Sequence, residues 1–236
     1  MISQNNPPIF PLSLNTIIID HHASNLSYAD TNLVDLTSPA TSFVLFQLFK
    51  LWNIEIDSDI ATNLFMGIYT DTGGFKYPPT DYRIFLAVAE LAKVSTDFTE
   101  TIFIMENSEV KESIYFEALA LGSIQTFLND NIAIAAVSYN ELKMKSIPPS
   151  SIHGFDISNK LKSVIGWNIG VSMVEKEPNI VKLSMRTRDA NKFNVSKLAV
   201  ALGGGGHRAA SGALLRMSID DARKLVVSKA KEMYNL

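Results

Sequence analysis

The chain has 236 residues, 47% of them apolar, enough for one large or two ordinary domains with a true hydrophobic core, so disorder is not the default reading. A net charge of −3, with Lys and Arg scattered, excludes the sequence-wide basic footprint of a duplex-binding protein. Zero cysteines exclude disulfides, thiolate catalysis and cysteine-ligated zinc, so any metal must rest on His and carboxylate.

Taken in chain order, the leader "MISQNNPPIFPLSLN" has no Lys or Arg and is broken by prolines, so it does not read as a signal peptide. No apolar run reaches the roughly 18 residues of a membrane span. A soluble, cytoplasmic protein without a membrane partner is expected. "TIIID" at 16–20 is a short β-branched run, the pattern of a strand buried on both faces of a parallel sheet. Asp20, His21 and His22 then emerge at its carboxyl end, where open α/β sheets bind ligands. "SPATSFVLFQLFKLWN" at 38–53 starts with a helix signal and continues at helical spacing. "DSDIATNLFMGIYTDTGGF" is a second apolar helix or strand running into Asp71 and a Gly-Gly turn.

From 81 to about 128 apolar residues recur three and four apart, which predicts helices, the last long enough to tie two domains together. Strands follow at 131–138, 168–175 and 179–188, with "SIPPSS" at 146–151 as a surface loop. "NVSKLAVAL" reads as a helix that stops at the glycines, "ASGALLRM" as a strand, and "SIDDARKLVVSKAKEMY" as a closing helix capped by Ser218. The fold class is α/β: a parallel-sheet first domain over 1–122, joined by a helix to a smaller α/β domain with a mixed sheet over 123–236.

Three stretches carry chemistry. Asp20, His21 and His22 offer carboxylate and imidazole, a donor set suited to Mn2+, and Asp71 is a second carboxylate in a comparable position. Taken alone, the histidines also fit a solvated strand end, and Asp71 an ordinary turn. "GGGGHRAASG" at 203–212 sets four of the twelve glycines side by side before His207 and Arg208. A packed glycine turn there lets backbone N–H groups meet an anion; a plain linker is the alternative. Arg186 and Arg188 alternate along a strand and share one face, a phosphate clamp or a solvated surface. His153 stands alone in a loop and reads as a surface residue.

Together, "IIIDHHASN", "YTDTGGF" and "VKLSMRTRDANKFNVSKLAVALGGGGHRAASGALL" resemble the DHH/DHHA1 phosphoesterase family over nearly the whole chain. The likeness is greatest to the branch that degrades very short RNA oligonucleotides and dephosphorylates 3′-phosphoadenosine 5′-phosphate. The resemblance implies His21 and Asp71 as metal ligands, His22 as a contact to the scissile phosphate, and Asp20 as the residue that orients the pair. It implies that Arg186, Gly203, Gly204, Gly205, Gly206, His207 and Arg208 hold the substrate nucleotide. Two divalent ions, Mn2+ or Mg2+, would serve a hydrolase of this kind, with a short RNA or nucleotide as substrate; a homodimer stays open. A cyclic-dinucleotide phosphodiesterase and a non-catalytic nucleotide-binding remnant are the alternatives.

The resemblance also implies further Asp and His ligands before the DHH step. The nineteen residues ahead of Asp20 contain no Asp, Glu or His. The chain is therefore expected to be a fragment, incomplete at its amino terminus, with metal binding and activity impaired.

Overall fold

The computed structural model describes residues 15–22, 25, 27–95 and 97–236. The proline-broken leader, and Ala23 and Ser24 of the histidine stretch, lie outside the described residues. The chain divides into two units, Met1–Ser108 and Glu109–Leu236.

In the first unit β1 (Ile17–Asp20) pairs in parallel with β2 (Thr31–Val34), an element the sequence pattern did not announce. β1 is not buried on both faces as its isoleucines suggest: Ile17 is 69% exposed, and β2 is the strand's one partner among the described residues. Helices α1 (Thr41–Leu51), α2 (Ser58–Asp71) and α3 (Tyr82–Val94) follow. Their apolar spacing sets Phe43, Phe46, Phe65, Ile68, Ile84 and Leu91 into one core, each fully buried side chain contributing roughly 1.5–3 kcal/mol. The Asp57 and Asp81 carboxylates cap α2 and α3 by accepting from the N–H groups of Ile60 and Arg83. A Cβ at Gly67 of α2 would strike the Ser42 side chain, so this glycine lets α1 and α2 close on each other. α2 ends at Asp71, and Gly73 and Gly74, at φ of +59° and +66°, turn the chain there. α4 (Phe98–Glu106) rests Phe98 and Ile102 against the same core.

The second unit opens with α5 (Lys111–Gly122), which the sequence pattern joined to the first domain. Its Phe116 and Ala120 bury against Ala133, Ala135 and Val137. After β3 (Gln125–Phe127) come β4 (Ile132–Val137), α6 (Tyr139–Met144), α7 (Gly154–Ser163), β5 (Ile169–Glu177) and β6 (Ile180–Thr187). α8 (Val195–Ala201), β7 (Gly205–His207), β8 (Ala210–Arg216) and α9 (Ile219–Tyr234) complete it. The strands form one mixed sheet in the order β3-β4-β5-β6-β8-β7, with β4 and β5 parallel and the other neighbours antiparallel.

Alternation along the strands sorts side chains onto two faces. Ile132, Ile134, Ile169, Val171 and Met173 meet Leu198 of α8 and Val226 of α9. On the opposite face Ala133, Ala135 and Val174 meet α5 and Ile157 and Leu161 of α7. Gly170 lets α7 lie flat on β5, since a Cβ there would come within 2.5 Å of the Ser158 carbonyl oxygen. No helix among the described residues is long and apolar enough to cross a membrane.

Candidate functional site

The first group of functional side chains hangs on the end of β1. Asp20 Oδ1 accepts from the His21 N–H at 2.7 Å, the His22 N–H at 3.2 Å and His22 Nδ1 at 2.7 Å. Its Oδ2 accepts from the Asn25 amide at 2.6 Å. Burial pushes the carboxyl up, but the bonds from Asn25, His22 and the two backbone N–H groups outweigh it and hold Asp20 well below the usual carboxylate range. An ionised Asp20 can only accept, so His22 Nδ1 is the donor and its Nε2 lone pair is left for a partner outside.

His21 is set differently. Its Nδ1 lies 3.2 Å from the Ser38 carbonyl oxygen and donates to it, which puts the lone pair on Nε2. That Nε2 is buried without a hydrogen-bond partner among the described residues and sits 3.6 Å from Asp71 Oδ2. In the neutral ring two acceptors thus face each other, an arrangement that a shared cation would satisfy. A ring N–H held by a backbone carbonyl, with the other nitrogen bare, is how a metal-binding histidine is oriented. Asp71 closes the fourteen-residue α2, and the negative end of the helix favours a cation at that place. Imidazole with carboxylate and no sulfur suits Mn2+. The residues present therefore fit a divalent cation. Asp20, His21 and His22 also bring ligand atoms within 4.8 Å of one another, but the four hydrogen bonds on Asp20 occupy its oxygens. His21 with Asp71 is the pair whose lone pairs remain open.

In the second unit the register sets Gly170, Arg186, Ala210 and His207 side by side across β5, β6, β8 and β7. Residues in one row of a sheet point to one face, so Arg186 and His207 share a surface two strands apart. Arg188 lies beyond β6 and donates to the carbonyl oxygens of Ser163 and Val164, so it does not extend this row.

The four glycines divide by role. Gly203, at φ of +77°, and Gly204 end α8 by donating to the carbonyls of Val200 and Ala199, the paired bonds of a Schellman cap. A Cβ at Gly204 would run into the Gly212 carbonyl, and one at Gly206, whose φ is +137°, would lie 2.6 Å from Ser211 Cα. Gly203 and Gly205 both have open space around them, but the positive φ of Gly203 still requires a glycine, which leaves Gly205 as the unconstrained one. Local packing accounts for three of the four, and Gly205 and His207 on the edge strand are the ones left facing outward. Arg208 donates to Ala190 O and Asn191 Oδ1, which ties its guanidinium to the loop before α8.

Sequence reasoning missed Asn25 and Ser38, which order the histidines through an amide and a backbone carbonyl; the latter carries no residue-type signal. His153 is half-buried at the start of α7 and is not the surface residue its isolation suggests.

Residues 149–232 match the model of the DHHA1 domain. The chain is 27% identical over 92% of its length to the bifunctional oligoribonuclease and PAP phosphatase NrnA of Thermus thermophilus, covering 64% of that protein. It is 28% identical over 87% of its length to the NrnA of Mycoplasma pneumoniae, covering 61% of it. The chain thus spans somewhat over three fifths of the length of these relatives. Among solved structures, an exopolyphosphatase-related protein from Bacteroides fragilis superposes over 93% of this chain and 64% of its own, with a TM-score of 0.82 at 21% identity.

Proposed function

We propose that this chain, which belongs to the DHH/DHHA1 family, takes part in the metal-dependent hydrolysis of phosphoesters in short RNA oligonucleotides and in 3′-phosphoadenosine 5′-phosphate. The observation that carries the reading is the bare His21 Nε2 opposite Asp71, with Nδ1 fixed on the Ser38 carbonyl. The relatives named for those two substrates support the choice of phosphoester.

His21 and Asp71 would hold the cation, for which Mn2+ is the proposed ion because it accepts imidazole and carboxylate alike. Such an ion supplies Lewis acidity and charge neutralisation at phosphorus. The rest is the chain's own work. His22, its Nδ1–H anchored on Asp20, turns Nε2 toward the scissile phosphate. Arg186 and His207 hold the nucleotide from one face of the sheet, Arg186 as a permanent planar cation. Gly205 leaves the edge backbone open to a phosphate oxygen. A cysteine-free chain fits a reducing cytoplasm as the setting.

The test is Mn2+ titration of the full chain by calorimetry, alongside release of mononucleotides from a short RNA and of phosphate from 3′-phosphoadenosine 5′-phosphate. Binding and turnover that both vanish in His21→Ala are expected. Mn2+ binding that survives in His21→Ala would refute the metal site, whatever the activity.

A further inference from the structure

The row of the six-stranded sheet that carries Arg186 and His207 continues onto α7. Gly170 of β5 pairs with Arg186, and a Cβ at Gly170 would come within 2.9 Å of the Lys162 backbone nitrogen. The absent side chain thus lets the last turn of α7, which holds Lys162, come down onto the row. Lys162, Arg186 and His207 follow one another across this face, with the small residues Gly170 and Ala210 at the intervening positions.

Three observations set Lys162 apart from an ordinary surface lysine. Lys160 in the same turn pairs with Glu117, whereas the Lys162 ammonium has neither an ion pair nor a hydrogen bond among the described residues. A lysine near a helix carboxyl end commonly serves the last carbonyls and the negative pole there. In α7 that duty falls on Arg188, which donates to the carbonyl oxygens of Ser163 and Val164, so Lys162 is not needed as a cap. The third observation is burial beside another cation. Lys162 is half-buried; burial first, and the Arg186 guanidinium second, pull its ammonium down, and no acidic group among the described residues offsets them. Two like charges held together cost free energy, and a bound anion offsets that cost.

An ammonium and a guanidinium side by side match the charge of a phosphate monoester, whose second ionisation, at about pH 6, makes it close to a dianion at neutral pH. An internal phosphodiester carries a single negative charge and leaves one cation of the pair uncompensated. We propose that Lys162 is a substrate-binding residue that shares one terminal phosphate of the nucleotide with Arg186 and gives the second unit a preference for a phosphate monoester over a diester. Arg186 offers the planar fork, and Lys162 a point charge from the helix side. One phosphate is bound here, and the phosphoester that reacts at His21 and Asp71 is a different one. This rests on the nucleotide reading of the preceding subsection.

The experiment is calorimetric binding of adenosine 5′-monophosphate and of its phosphate O-methyl ester, a monoanionic diester, to the full chain. Divalent cations are left out, so that His21 and Asp71 contribute nothing. Lys162→Met removes the charge and keeps the stem; Lys162→Arg keeps the charge. Wild-type protein is expected to bind the monophosphate roughly tenfold or more tighter than the ester, the contribution of one charged hydrogen bond. Lys162→Met should bring the two ligands within about twofold of each other by weakening the monophosphate alone. Lys162→Arg should restore most of the preference, which a merely structural lysine would not do. A preference unchanged in Lys162→Met overturns the proposal, as does an equal loss for both ligands or wild-type protein that binds both alike. If wild-type protein binds neither nucleotide, the nucleotide reading fails by itself, and inorganic phosphate then decides Lys162 by NMR. A Lys162 ammonium resonance that shifts on phosphate titration upholds the anion contact; an unmoved one overturns it.

Discussion

Asp20 and Arg186 both stand at or beside the carboxyl end of a strand, yet the two strands hold them by different means. β1 has four residues, one partner among the described residues and a largely exposed first isoleucine. β6 has eight and is paired on both sides, by β5 and β8. In the first unit position is therefore set by side-chain hydrogen bonds, four of them on Asp20. In the second it is set by the backbone ladder and by glycines that permit close contact. Polar substitutions should disturb the first site without unfolding it, whereas steric ones should loosen the second unit with little direct effect on the first.

The largest expected effect is at His21. His21→Ala should lower Mn2+ affinity and turnover by more than about 100-fold, beyond the loss usual for an outer partner. Nucleotide binding through the second unit should stay within about twofold. Asp20→Asn comes next: an amide nearly the same in shape cannot accept four hydrogen bonds, so His22 loses its anchor. Turnover should fall by about 10–100-fold with the thermal midpoint little changed. A collapse of the fold would show that Asp20 orders more than its histidine.

Steric damage is the mirror case. Gly170→Ala should destabilise the second unit by about 1–3 kcal/mol, read from denaturant melts or amide exchange, because its Cβ meets the Ser158 carbonyl of α7. Ile17→Ala on the exposed strand should cost about 0.5 kcal/mol or less. Equal costs would erase the contrast between the units. The smallest effect belongs to Tyr234, whose hydroxyl donates to the Asn194 carbonyl at 2.8 Å. Burial pushes this phenol up to about 12 from its ordinary 10.0. Because the folded value exceeds the unfolded one, the contribution is complete below pH 10 and is lost as pH rises from 10 toward 12. Tyr234→Phe should cost about 1 kcal/mol and flatten the stability profile across that window.

The contrast also explains what could be read from sequence. Periodicity found α1, α3, β4, β5, β6, α8 and α9 because each is long enough, or apolar enough, for its burial pattern to repeat. It missed β3 and β7, three residues each, and α6, whose signal was the Ser138 and Glu141 capping box and not an apolar stripe. α7 went unread because Ser, Asn and Lys fill much of it. At the candidate site, residue types singled out His21, His22, Asp20 and Asp71, since carboxylates and imidazoles stand out. The Ser38 carbonyl and the structural duty of Gly203, Gly204 and Gly206 depend on backbone placement, which no residue letter records.

The two flanks of the six-stranded sheet are β3 and β7, and each is three residues long. A neighbouring chain that tried to extend the sheet would find a short run of unpaired backbone on either side, bounded on the β7 side by the turn of Gly203 and Gly204. Edges this short give little template for strand addition. The domain therefore resists fibre-like growth from its own ends, and the edge that leaves Gly205 and His207 open to a small anion remains a poor foothold for another strand.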